Sequence, residues 1–158
     1  MFGQEELWRY REDNRLEFKE AQGGLPRSFW ETYSSFANTQ GGLIVLGAAE
    51  KSDGAIGIAN LEALRRDLWG GLNNEQKVST NLLLDSDITQ ESIDGKSLLL
   101  VYVPRADRTL RPVYINDNPK RGSFRRNGDG DYHCTAEELR AMARDSAEGA
   151  TDKLVLPA

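Results

Sequence analysis

An α+β fold, with a mixed sheet flanked by helices, follows from three observations on this sequence. Apolar residues recur at helical spacing in some segments and alternate, or run continuously, in others. The two kinds of segment do not follow one another in the regular strand–helix–strand rhythm of a parallel α/β protein. At 158 residues, with 39% hydrophobic and 28% charged residues, the chain fits one domain able to bury a real core. We place that domain at residues 1–145 and read 146–158, which turn polar and lose periodicity, as a linker towards a further module.

Glu5 to Arg11 has the pattern of a short amphipathic helix, and Arg15 to Glu20 alternates as a half-buried strand with Leu16 and Phe18 on one face. Gly23-Gly24 ends that strand, and Pro26 suits the first turn of a helix. Phe29, Trp30, Tyr33, Phe36 and Ala37 then give this helix a broad aromatic face. It stops at Asn38-Thr39-Gln40-Gly41-Gly42, from which a buried strand, Leu43 to Ala48, leaves without a spacer. Ser52-Asp53-Gly54 reads as a turn into a second strand, Ala55 to Ile58. Asn60 caps a helix carrying Leu61, Leu64, Leu68 and Leu72 on one stripe. Ile88 to Ile93 and Ser97 to Val103 form a hairpin about Asp94-Gly95, the second being a central strand ended by Pro104. Short strands are expected at Val113 to Ile115 and Phe124 to Arg126. Thr135 and Glu138 form a capping box before a last helix.

No apolar run approaches the roughly 20 residues that span a bilayer, and no basic-then-apolar leader opens the chain, so the expected location is the cytoplasm without membrane attachment. A single cysteine, Cys134, excludes an internal disulfide. The net charge of −5 conceals a split. Arg105, Arg108, Arg111, Lys120, Arg121, Arg125 and Arg126 face only Asp107 and Asp117 in their span, a local +5 that leaves −10 on the rest. Such a segment can attract phosphates, and Tyr114, Phe124 and Tyr132 interleave it as rings on which bases could stack. These seven residues are the expected nucleic-acid-binding set.

Glu12 followed by LEFKEA, then FANTQGGLIVLG, DGKSLLLVYVP, RPVY, and SFRRNGDG before a capped helix stand in one order. That order resembles the Schlafen AlbA-like domain of bacterial regulator-like proteins and animal Schlafens, over roughly Leu7 to Ala143. The resemblance implies an α+β fold and a nucleic-acid-binding domain, DNA by default, in a transcriptional regulator. It also implies an alternative. Glu12 and Glu17 match paired glutamates that animal Schlafens use for metal-dependent RNA cleavage, with Glu50 as the substitute third carboxylate. In that reading Mg²⁺ or Mn²⁺ would be needed to cut structured RNA such as tRNA; otherwise no cofactor or metal is expected. Ala48 and Ala49 stand where the family commonly has acidic residues, which favours binding over catalysis. A third reading is homodimerisation or protein interaction through opposed charges. His133 and Cys134 are too few for a zinc site, and no GxxxxGK[ST] loop is present.

Overall fold

The computed structural model describes residues 10, 11, 13–49 and 55–154, with side chains described to residue 150. Its first half is one strand–helix–strand unit. Strand β1 (Leu16–Lys19) leads through the Gly23-Gly24 bend to helix α1 (Ser28–Asn38), and β2 (Gly42–Leu46) returns parallel to β1, with Glu17 beside Ile44 and Lys19 beside Leu46. Helix α2 (Leu61–Leu72) follows, its first turn capped by the Asn60 side chain, which accepts from the Ala63 N–H at 3.0 Å. Strands β3 (Ile88–Ile93) and β4 (Lys96–Val103) form the expected hairpin, with Asp94 and Gly95 both at positive φ as a two-residue primed turn requires. β4 lies between β2 and β3, giving the order β1-β2-β4-β3. A second, two-stranded sheet pairs β5 (Phe124–Asn127) with β6 (Gly130–His133), and α3 (Ala136–Leu154) closes the described chain. The fold is α+β.

Period-two geometry divides the large sheet into two faces. Ile44, Leu46, Leu99, Val101 and Val103 point to the main core, where α1 and α2 contribute Phe29, Tyr33, Phe36, Leu64, Leu68 and Leu72, all at most 2% exposed. Leu43, Val45, Leu98 and Leu100 face the other way, with Leu16, Phe18, Tyr10 and Tyr102 packed around them. Tyr33 also pins the loop after α2: its hydroxyl donates to Thr80 O at 2.8 Å and accepts from Leu82 N at 2.9 Å. Burial pushes that phenol up to about 12.

The Gly41-Gly42 junction is as tight as its sequence implies. Gly41 has φ +75°, and a Cβ on Gly42 would lie 2.7 Å from the Phe36 ring. Three expectations change. Ala55 to Ile58 makes only the single bridge Ala48–Ala55, because Ile56 and Gly57 both donate to Gly47 O and the backbone turns instead of extending. Val113 to Ile115 is not a continuous strand either: Tyr114 and Ile115 make the isolated bridges Tyr114–Ser123 and Val78–Ile115, while Val113 N donates to Asn38 Oδ1 and Tyr114 N to Ser79 Oγ. The last helix continues past residue 145 to Leu154, with Ser146 Oγ donating to Thr109 O at 3.0 Å and Gly149 buried beside Arg108 and Thr109. The expected Ser52–Gly54 turn lies outside the described residues, as does the Glu5–Arg11 helix except for Tyr10 and Arg11.

Candidate nucleic-acid interface

The arginine-rich end of the chain is bolted to the C-terminal end of α1 through three polar side chains. Asn38 donates to Val113 O and Phe124 O, both at 2.9 Å, and accepts from Val113 N at 2.7 Å. Ser34 Oγ donates to Val113 O and accepts from Phe124 N. Thr39 Oγ1 accepts from Arg126 N at 2.9 Å. The Val113 and Phe124 backbone groups are buried and find these side chains as partners. The Asn-Thr pair of the FANTQGG stretch therefore does more than end a helix. It seats the β5–β6 hairpin.

Alternation along β5 sends its arginines to opposite faces. Arg126 turns inward with only 6% of its side chain exposed. Its Nη1 reaches Glu17 Oε1 and Asp131 Oδ1, each at 3.0 Å, while Nε donates to Asn14 O at 3.0 Å and the guanidinium lies over the Phe36 ring at 5.0 Å. Asp131 is further held by Thr32 Oγ1 at 2.6 Å. Beside them Lys19 Nζ donates to Ser28 Oγ at 3.0 Å; burial lowers its pKa, against the opposing pull of Glu17 and Asp131. One guanidinium thus joins edge strand β1, the loop before it, and the hairpin. At its rim a cleft of about 150 Å³ opens between Asn14, Arg15, Gln40 and Gly128.

The seven expected binding cations do not form one patch. Arg126 is the clamp just described. Arg125 faces outward, paired with Glu138 at 2.8 Å and lying 5.9 Å from the centre of the Tyr132 ring. Lys120 and Arg121 are exposed on the loop that feeds β5. Arg105, also exposed, and Arg108 lie within electrostatic reach of Arg111: burial and then Arg105 depress the Arg111 pKa, with Asp145 and Asp107 opposing. Of the three rings expected to interleave the cations, Phe124 is buried at 6% exposure, Tyr114 is half-buried, and Tyr132 stands 53% exposed. His133 packs on Phe124, and burial pushes the Cys134 thiol up to about 11.

Glu12 and Glu50 of the nuclease reading lie outside the described residues. Glu17 is described, and its neighbouring carboxylate is Asp131. The two do not fit a divalent ion as they stand, because Arg126 lies bonded to both, and no cluster of three or more metal-ligating side chains occurs among the described residues. Lys19 was legible as the outward partner of Glu17 on an alternating strand, but Asp131 sat inside a turn-like NGDGD string without any periodic signal.

This arrangement, a parallel β1–β2 pair joined through α1 with an arginine hairpin docked on its helix end, extends over the matched region of a family model described as Schlafen, AlbA_2, which aligns with residues 12–135. The chain belongs to the Schlafen AlbA_2 family. Among solved structures it is similar to the N-terminal domain of a RecG-related protein from Nitrosomonas europaea, named for ATP-dependent DNA helicases. The identity is 30%, over 83% of this chain and 90% of that one, with a TM-score of 0.56. The DIP2311 protein of Corynebacterium diphtheriae shares the fold at 20% identity and a TM-score of 0.58, over 85% of this chain and 24% of that chain. No match was found among curated proteins. No described helix is long and apolar enough to cross a membrane.

Proposed function

We propose that this family member is a nucleic-acid-binding module, with DNA as its first partner, serving a larger regulator-type protein. The observation that carries the reading is the exposure of Lys120 and Arg121 on the loop entering β5, with Arg105 exposed on a second loop. Cations so placed can approach a phosphate backbone, whereas Arg126 is held by carboxylates of its own chain. Similarity to a domain of a protein named for a DNA helicase supports the same direction. The test is a binding titration against duplex DNA, single strands and tRNA across a salt series. Affinity should fall steeply with salt, and Lys120→Glu with Arg121→Glu should weaken it on every sequence alike. Salt-independent binding, or none to any of the three, would sink the proposal. The same tRNA incubated with Mn²⁺ and the protein checks the alternative: cleavage abolished by Glu17→Gln would replace binding with nuclease chemistry.

A further inference from the structure

Resting on that reading, we infer that Tyr132, flanked by Arg125, is a stacking platform for an unpaired base, so that the module prefers single-stranded over fully paired nucleic acid. The register places Tyr132 opposite Arg125 on the hairpin face turned away from α1. The next outward position on β6 is Gly130, and a Cβ there would come within 2.9 Å of the Tyr132 ring. The ring is therefore laid down along bare backbone instead of standing off into solvent. Arg125 is fixed beside it by Glu138, which is itself held by the Thr135 capping box: Thr135 N donates to Glu138 Oε1 at 2.8 Å, and Glu138 N donates to Thr135 Oγ1 at 3.1 Å. With Gly130 and Arg125 against it, Tyr132 is still 53% exposed.

A pre-positioned, half-exposed aromatic with a guanidinium 5.9 Å over its ring centre is the chemistry that accepts a nucleobase on its remaining surface. Bases inside a duplex already stack on their neighbours and present only edges, so the platform discriminates by strand state, not by sequence. Lys120 and Arg121 enter β5 through Gly122 and Ser123, and Ser123 O accepts from Cys134 N at the open end of the hairpin. The exposed cations thus lead along the chain to the strand pair that carries the ring.

The experiment is fluorescence anisotropy of the whole chain with labelled oligothymidylate, oligouridylate and a blunt DNA duplex. Tyr132→Ala should weaken single-strand binding roughly tenfold and leave the duplex unchanged, while Tyr132→Phe should retain wild-type affinity. Loss on oligothymidylate or on oligouridylate supports the platform and identifies the sugar it reads. An equal loss on the duplex, or no loss on either single strand by a variant that melts like wild type, overturns it while leaving phosphate-based binding intact. A change in the sedimentation of the free protein without a change in binding would assign the ring to a protein contact and overturn it too. If Tyr132→Ala misfolds, Tyr132→Leu, which keeps apolar cover over Gly130 but no flat face, takes its place. Absence of binding by wild type to all three probes would remove the parent reading as well.

Discussion

Arg126 shows how far a residue's role can depart from its residue type. In a basic segment it reads as one more phosphate ligand, yet it bonds Glu17, Asp131 and the Asn14 carbonyl and is almost wholly covered. Removing it would leave two carboxylates, only 27% and 16% exposed, without the guanidinium bonded to both. Arg126→Ala should therefore cost about 3 kcal/mol of stability, the lower end for breaking a buried pair because its partners keep some solvent. Arg126→Lys should recover little, since an ammonium cannot reproduce a fork that serves carboxylates and a carbonyl together. Urea melts of both variants decide this; a lysine variant as stable as wild type would show that charge alone matters. Asp131 was illegible in advance because turn-rich strings carry no period, and only the fold brings it beside Glu17.

At the scale of elements, the β5–β6 hairpin and the start of α3 act as one unit. Thr135 and Glu138 complete the capping box read from the sequence, and Glu138 also pairs with Arg125. Thr135→Ala should destabilise the protein by about 1 kcal/mol, as loss of a helix cap does. Burial alone would raise the Glu138 carboxyl, but the Thr135 hydrogen bonds and Arg125 outweigh it and hold the group below its ordinary value. Its contribution to stability is therefore present above the unfolded-state value of about 4.3 and disappears as pH falls through the lower folded-state value. Thermal melts of wild type and Glu138→Gln should differ near neutrality and converge in acid; a difference that persists below both values would refute this linkage. The helix itself was legible from its box, but its extent was not. Beyond residue 145 it is Thr109 and the Arg108 side chain, distant in sequence, that cover its surface.

For the whole molecule, the relevant electrostatic quantity is the distribution of charge, not its sum. A body of net charge −5 repels polyanions at long range, so binding through Lys120, Arg121 and Arg105 should be salt-sensitive. Each of these that contacts duplex phosphate should lower the salt slope by about one when reversed. Arg125→Glu should act otherwise, weakening the hairpin–helix contact through repulsion of Glu138 as well as altering binding. Measuring slopes and melting temperatures on the same set of variants separates the two classes.

Amphipathic periods, caps and turn residues by themselves determined the α+β class, the aromatic face of α1, the Asn60 and Thr135 caps and the β3–β4 hairpin. These signals are local, and burial on one face is written at every second or third residue. The ordered motifs also indicated the family. Tertiary structure alone decided which arginines face water. It folded one local excess of positive charge into a buried clamp, a helix-paired arginine and exposed loop cations, and left Tyr132 half-exposed while burying Phe124. That division depends on strand register and on partners such as Glu17 and Glu138, whose distance from β5 along the chain bears no relation to their distance in space.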